Sequence, residues 1–182
     1  MKTTLKIVKD TKPSLRQKCR EVKTIDQKTI DLVNQMHDYL VLSQDESNDI
    51  KEGVGLAAPQ IGENIRALVV FFKEDDENGV AKIVDHRLIN PKIILESIKE
   101  VYLSGGEGCL SVDEQHEGYV YRKNKIQVKA FNAKTKKEEI ITARGYEAIV
   151  LQHEIDHLDG ILYYDRINPK NPFEVKEDAI KL

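Results

Sequence analysis

The chain has 182 residues, and its 28 lysines and arginines nearly balance its 31 aspartates and glutamates, giving a formal net charge of −3. This balance argues against a nucleic-acid substrate, and no apolar run approaches the roughly 18 residues that a membrane span needs. Two cysteines are too few for a disulfide framework, and the N-terminus lacks the apolar core of a signal peptide. We therefore expect a cytoplasmic protein that folds as one domain over residues 1–182.

The first predicted element is an amphipathic helix over residues 26–43. Thr24 with Gln27 has the pattern of a capping box, which predicts a helix start at this point. Apolar side chains then recur at helical spacing, at Ile25, Leu32, Val33, Met36, Tyr39 and Leu40. We expect this face to pack against the core.

A glycine-rich segment, G-V-G-L-A-A-P-Q-I-G, follows at residues 53–62. Its glycines partly match the dinucleotide-binding fingerprint, but that loop must follow a buried strand and open a helix. Here polar sequence precedes the segment, and Pro59 interrupts any helix. We interpret it as a backbone of small residues that can lie against an extended peptide. Gln60 follows, and its amide can donate a hydrogen bond to an oxyanion.

The strands are predicted from apolar segments and turn residues. Residues 67–72 and 93–95 predict buried strands, with E-N-G at residues 77–79 as a turn between partners. Residues 126–131 and 139–143 predict a further hairpin. Antiparallel strands with few helices indicate an α+β fold, in which the strands pack around a central C-terminal helix and an N-terminal helix is added.

Cys109 lies in the run G-G-E-G-C-L-S-V at residues 105–112. The glycines before it let the backbone turn sharply and approach a ligand, and the apolar residues after it predict the start of a strand. A single cysteine is usually a small buried hydrophobe, and we give that interpretation to Cys19, in a charged stretch. For Cys109 the glycine context favours a thiolate metal ligand.

The last predicted helix spans residues 146–158 and ends at Gly160. Its sequence, Q-H-E-I-D-H-L-D-G, places His153 and His157 four residues apart, so both imidazoles leave one face and can bind one metal ion. Glu154 lies about 100° round the helix, at the edge of that face. From there its carboxylate can reach a metal-bound water as a general base without ligating the metal. The motif predicts a metal site, and the position of Glu154 would suit a hydrolytic enzyme.

A catalytic metal of this kind usually has three protein ligands, and the sequence offers several candidates for the third. The longer protease signature H-E-x-x-H-x-x-G-x-x-H fails at its last position, which is Tyr163. Glu177 as third ligand would indicate a zinc endopeptidase, although the segment around it is short, polar and preceded by prolines. Cys109 would indicate a thiolate-ligated hydrolase. Cys109 together with Cys19 would instead complete a structural, non-catalytic zinc site.

Three segments taken together, G-V-G-L-A-A-P-Q, E-G-C-L-S and Q-H-E-I-D-H-L-D-G, resemble in this order the three signature motifs of peptide deformylases. Weaker similarity extends over residues 6–167. Extra sequence at residues 42–52 and 73–86 is similar to the longer, type II branch of Gram-positive bacteria and mycoplasmas. Many relatives of the shorter branch carry an arginine that contacts the substrate backbone where this chain has His116, so no role is transferred to that residue.

The resemblance implies hydrolysis of the N-terminal formyl group of formyl-methionine on newly synthesised polypeptides, with release of formate. It implies one Fe²⁺ per chain, for which Zn²⁺, Ni²⁺ or Co²⁺ can substitute. The metal ligands would be Cys109, His153 and His157. Glu154 would be the general base for attack by metal-bound hydroxide, while the Gln60 side chain and the Leu110 N–H would stabilise the charge on the formyl oxygen.

The resemblance also implies how the substrate binds and where the protein acts. The substrate peptide would pair with the Gly55 backbone, and Gly53 and Val54 would also bind the substrate. Its methionine pocket would be lined by Val54, Tyr146, Ile149 and Val150. The implied partners are N-formylmethionyl nascent chains, met near the ribosomal exit tunnel by a monomeric enzyme in the bacterial cytoplasm.

Overall fold

The first helix, α1, spans Gln27–Ser43 in the computed structural model, which describes residues 5–47, 49–75 and 79–182. This confirms the predicted helix but corrects its cap. Asp26 is the N-cap, and its carboxylate accepts a hydrogen bond of 2.9 Å from the Thr29 N–H. The predicted capping box of Thr24 and Gln27 is wrong, because the Gln27 side chain bonds Asp31 one turn further on, at 2.8 Å. An acidic cap also stabilises the positive end of the helix dipole.

The main sheet has five antiparallel strands in the order β1-β2-β3-β6-β7. Their bounds are Gly55–Ala57 for β1, Ala67–Asp75 for β2, Ala81–Glu96 for β3, Lys125–Asn132 for β6 and Lys137–Arg144 for β7. The predicted strand at 67–72 is confirmed as part of β2. The predicted hairpin of residues 126–131 and 139–143 is confirmed as β6 and β7. Of the predicted turn at 77–79, residues 77 and 78 lie outside the described residues.

Strand β3 is longer than the strand predicted at residues 93–95, and its pairing with β6 is irregular. Its pairing with β6 shifts register between Ile89 and Lys92 and again between Ile93 and Leu95. Pro91, which has no N–H to donate, lies in the first irregularity, and Asn90 beside it has a left-handed φ of 53°. Proline is tolerated inside a sheet mainly at such bulges.

The second sheet was not predicted. It contains three short strands in the order β5-β4-β8, with β4 at Glu100–Tyr102, β5 at Arg122–Lys123 and β8 at Ile180–Lys181. The strand expected after Cys109 is absent. In its place the chain turns, and the Val112 N–H donates to the Cys109 carbonyl at 3.3 Å.

Helix α2, Gly145–Leu158, packs on one face of the main sheet, and α1 packs on the other. Alternate residues of β2 point to opposite faces of the sheet. Leu68 and Val70 pack in the hydrophobic cluster that contains α2, while Val69 packs in the cluster that contains α1. Because the first six residues of β2, at 67–72, pack on both sides, their sequence is continuously apolar. This arrangement confirms the predicted α+β class and the central position of the last helix.

Every residue of α2 from Glu147 to Leu158 is buried. A helix that is buried on all sides places its polar residues inside the protein, where they need partners. The histidines of the H-E-x-x-H motif are therefore interior groups. Within the described part of the chain, no helix is both long enough and apolar enough to cross a membrane.

Candidate metal centre

Cys109, His153 and His157 come together at the centre of the protein. One ligand atom from each lies within 4.8 Å of the others, and all three side chains are buried. The Cys109 Sγ and the His157 Nε2 are 3.3 Å apart. Two ligands of one tetrahedral zinc-like ion are separated by roughly 3.5 Å, given metal–sulfur and metal–nitrogen bonds of about 2.3 and 2.0 Å. The donor set and its spacing therefore fit a transition metal ion.

The sulfur of Cys109 has two N–H groups beside it. The Ser111 backbone N–H lies 3.4 Å from Sγ, and the Gln60 Nε2 lies 3.5 Å from it. Both N–H groups hold the sulfur in place, and a cysteine binds a metal through this atom. The turn before Cys109 depends on Gly106, which has a left-handed φ of 75° and whose added Cβ would lie 3.2 Å from the Gly118 carbonyl oxygen.

The other candidates for the third ligand lie elsewhere. Among the residues that the structure describes, the group of converging ligand atoms includes neither Cys19 nor Glu177. Cys19 packs in the hydrophobic cluster with Leu158, and burial raises the pKa of its thiol to about 11. Glu177 lies near Ile98 on the surface of the second sheet. The sequence alternatives that required these two residues are thus not supported by the geometry.

Glu154 lies beside the ligands as a buried carboxylate that is only 4% exposed. Its Oε2 has no hydrogen-bond partner among the described residues. Burial raises the pKa of Glu154 to about 7, against the opposing charges of His153 and Arg122. Gly55 of β1 approaches so closely that an added Cβ would lie 2.2 Å from the Glu154 Oε1. Glycine is therefore required at this position by contact with the carboxylate.

Sequence reasoning missed Glu107, which orients one of the histidines. Its carboxylate contacts the His153 Nδ1 at 2.8 Å, so Nε2 is the nitrogen available to a metal. The same carboxylate receives two hydrogen bonds from Arg122, of 2.6 and 2.8 Å. Burial alone would raise the pKa of Glu107, but the charge and hydrogen bonds of Arg122 outweigh burial and lower it to about 2.

A chain of ion pairs extends from the buried Glu107 to the exposed Arg166 on the far side of the helix. Arg122 also donates to Asp156 at 2.9 Å, and Arg166 donates to Asp156 at 2.6 Å. Opposite charges alternate along this chain, so each buried charge has a partner. In the sequence, only position marks these acidic residues as part of the site. Glu107 lies two residues before the ligand cysteine, and Asp156 lies between the two histidines.

The two ligand histidines differ in their tendency to bind a proton. Burial opposes protonation of His153, but hydrogen bonds with Cys109 and Glu107 and the charge of Glu154 raise its pKa to about 10. Burial and the neighbouring charge of His153 lower the pKa of His157 well below its usual value. Anions that stabilise a proton at this place also stabilise a metal cation, which replaces that proton on binding.

Gln60 and Leu110 lie next to the ligands. Gln60 is fixed because its Oε1 accepts from the Ala57 N–H at 2.8 Å, while its Nε2 donates to the Ser111 hydroxyl at 3.2 Å. This orients the amide nitrogen toward the sulfur of Cys109. The Leu110 side chain lies against the glycine segment, where a Cβ added to Gly53 would be 2.7 Å from it.

A cavity of about 380 Å³ opens beside the centre. It lies between the glycine segment, the Cys109 loop and the first turns of α2. The predicted substrate-binding residues all line it: Gly53, Val54, Gly55, Tyr146, Ile149 and Val150. Gln60, Leu110, Cys109, His153 and Glu154 line it as well.

His116, to which no role was assigned, does not line this cavity. The centroid of its ring lies 4.1 Å from the centroid of the Tyr164 ring, and its backbone N–H donates to the Tyr163 hydroxyl at 3.1 Å. Tyr163, which occupies the last position of the protease signature, stacks against His153 with ring centroids 6.1 Å apart.

The sequence comparisons agree with this geometry. The chain matches the family described as Polypeptide deformylase over residues 4–173. A peptide deformylase of Staphylococcus epidermidis is 41% identical over 181 residues, which cover 97% of each chain. One of Lactobacillus delbrueckii subsp. bulgaricus is 43% identical over 179 residues, covering 96% of this chain and 95% of that protein. Both genera are Gram-positive, as the resemblance to the longer branch implied.

Solved structures give the same result. A peptide deformylase from Ehrlichia chaffeensis in complex with actinonin has a TM-score of 0.77 at 33% identity, covering 94% of this chain and 92% of that one. A Met-Ala-Ser-bound class I type b peptide deformylase from Acinetobacter baumannii has a TM-score of 0.75 at 27% identity, covering 92% and 100%. The chain therefore belongs to the polypeptide deformylase family, whose enzymes remove the formyl group from the N-terminus of nascent peptides.

Proposed function

We propose that this chain hydrolyses the formyl group of formyl-methionyl peptides at a metal held by Cys109, His153 and His157. The observation that carries the proposal is the convergence of one thiol and two imidazoles within 4.8 Å, buried beside a cavity. A metal bound there supplies a Lewis acid that polarises the formyl carbonyl and lowers the pKa of water toward neutrality.

Glu154 is the general base in this proposal. Its unpartnered Oε2 is buried next to the ligands, and burial raises the pKa of this carboxylate above its ordinary value, which suits a proton acceptor. Glu154 accepts the proton of the attacking water and then delivers it to the departing amine of methionine. The products are formate and a free N-terminus.

Two donors stabilise the charge that develops on the formyl oxygen. The Gln60 amide is held in one orientation by its bonds to Ala57 and Ser111, so it needs little reorganisation during the reaction. The Leu110 backbone N–H, in the peptide unit that follows Cys109, is the second donor.

The substrate peptide pairs with Gly53, Val54 and Gly55. β1 is an edge strand of the main sheet, bonded to β2 on one side, and an extended peptide can add to such an edge. The methionine side chain enters the cavity between Val54, Tyr146, Ile149 and Val150. The aromatic ring and branched aliphatic groups suit an unbranched thioether.

The working metal is Fe²⁺, one per chain, which the family resemblance favours; the same thiolate and imidazole donors also accept Zn²⁺, Ni²⁺ and Co²⁺. We further propose that residues 1–182 form one catalytic domain that acts as a monomer. Because its substrates are nascent chains, the enzyme would act in the cytoplasm, near the ribosomal exit tunnel.

Glu154→Gln tests the mechanism. The variant should keep its metal and lose about 10²- to 10⁴-fold in turnover of formyl-Met-Ala-Ser, which is the usual effect of removing a general base. Metal content by atomic absorption separates the roles of the residues: Cys109→Ala should lose the metal, while the control Glu177→Ala should keep both metal and activity. Glu154→Gln with more than a tenth of wild-type turnover would refute the role of Glu154.

A further inference from the structure

The loop that carries Cys109 is tied to the glycine segment by a lysine. The Lys51 ammonium donates to the Cys109 carbonyl at 2.9 Å and to the Val112 carbonyl at 3.0 Å. Lys51 lies two residues before Gly53 and lines the same cavity. One side chain thus bridges the first and last carbonyl groups of a four-residue turn.

The two carbonyl groups between them are also held. The Lys9 ammonium donates to the Leu110 carbonyl at 3.3 Å and forms an ion pair with Asp113 at 2.6 Å. The Asp10 backbone N–H donates to the Ser111 carbonyl at 2.9 Å. All four successive carbonyl oxygens of residues 109–112 therefore have donors from outside the loop or across its turn, which fixes the orientation of each peptide plane.

The orientation of one of these planes matters for the reaction. In a trans peptide the C=O of one residue and the N–H of the next point in opposite directions. The bond from Lys51 to the Cys109 carbonyl thus determines where the Leu110 N–H points. A charged donor also polarises the peptide unit, which makes its N–H a stronger hydrogen-bond donor.

We propose that Lys51 is a positioning residue that holds and polarises the Cys109–Leu110 peptide so that the Leu110 N–H stabilises the formyl oxygen. The inference rests on the proposed function, which assigns that N–H to the oxyanion. Lys51 touches neither the reacting atoms nor the metal in this role. It therefore affects the transition state more than the binding of substrate or metal.

The test compares Lys51→Met with Lys51→Arg and with Lys12→Met. Methionine keeps an unbranched stem but has no ammonium, while arginine keeps the charge and the donors. Lys12→Met removes an exposed lysine at the start of the first 3₁₀ helix and so controls for net charge. For the kinetics each protein is loaded with Fe²⁺ in the absence of oxygen, its metal content is measured, and kcat and KM are determined with formyl-Met-Ala-Ser.

Lys51→Met should lower kcat roughly tenfold or more, with KM within about twofold and the metal retained, because losing an oxyanion donor outright lowers kcat about 10²- to 10³-fold. Lys51→Arg should recover most of kcat, and Lys12→Met should match the wild type. A raised KM with unchanged kcat would overturn the proposal, since it would show that Lys51 binds substrate uniformly. Loss of metal from Lys51→Met would overturn it too.

Hydrogen exchange gives a readout that does not depend on activity. In zinc-loaded Lys51→Met the backbone amides of Ser111 and Val112 should exchange at least about tenfold faster than in Lys12→Met, because the loop opens more often. Equal exchange rates in the two variants would show that Lys51 does not hold the loop. That result would overturn the role of Lys51 and leave the proposed function standing. An inactive wild type with a site filled by Fe²⁺ and kept free of oxygen would overturn the proposed function, and with it the catalytic consequence of Lys51.

Discussion

Gly55→Ala should abolish most of the activity while leaving the fold intact. An added Cβ would lie 2.2 Å from Oε1, 2.7 Å from Cδ and 2.8 Å from Cγ of Glu154. The shortest of these is 1.2 Å less than the 3.4 Å at which ordinary contact begins. Either the carboxylate or β1 must therefore move by about an ångström. A displacement of that size at a reacting group can lower the rate about 10²-fold.

The assay is kcat/KM with formyl-Met-Ala-Ser, together with metal content and thermal unfolding. The matched control is Gly105→Ala, because a Cβ added there meets nothing within 4 Å. We expect Gly105→Ala to keep wild-type activity, and both variants to keep the metal. The reasoning would be refuted if Gly55→Ala kept more than a tenth of wild-type kcat/KM, since Glu154 would then tolerate displacement from its present position.

Two further predictions concern the oxyanion and the thiolate. Gln60→Leu should lower kcat about 10²- to 10³-fold by removing a side-chain donor, and a change confined to KM would contradict this role. The iron-loaded enzyme should inactivate in air faster than the nickel-loaded enzyme, because Fe²⁺ reacts with oxygen beside Cys109 and the thiolate is then oxidised toward sulfenic or sulfinic acid. Mass spectrometry of Cys109 in both forms checks this, and equal half-lives would count against it.

The features that could be predicted from the sequence are the local ones. The two helices follow from periodic apolar residues and from the H-E-x-x-H spacing, which fixes two imidazoles on one face wherever the helix lies. The strand at 67–72 was evident because burial on both faces makes it uniformly apolar. Cys109 was distinguished from Cys19 by its glycine neighbours, and the structure separates the two cysteines in the same way.

What could not be predicted depends on contacts between distant segments. Glu107 and Arg122 are charged residues that are usually solvated, and only the folded chain shows them buried together. The strands of the second sheet have two or three residues each, too few to establish a periodic pattern. The helix cap was misassigned because Asp26 and Thr24 both favour the N-cap position, and local sequence does not distinguish them.

The separation of the ligands along the chain has a consequence for biosynthesis. Cys109 leaves the ribosome 44 residues before His153, a delay of roughly 2 to 9 s at usual rates of translation of about 5 to 20 residues per second. During that interval the thiol exists without its two imidazole partners. A metal that needs all three ligands can therefore be held only after α2 has been made. The full set of ligands exists only once the last of the three motifs has been synthesised.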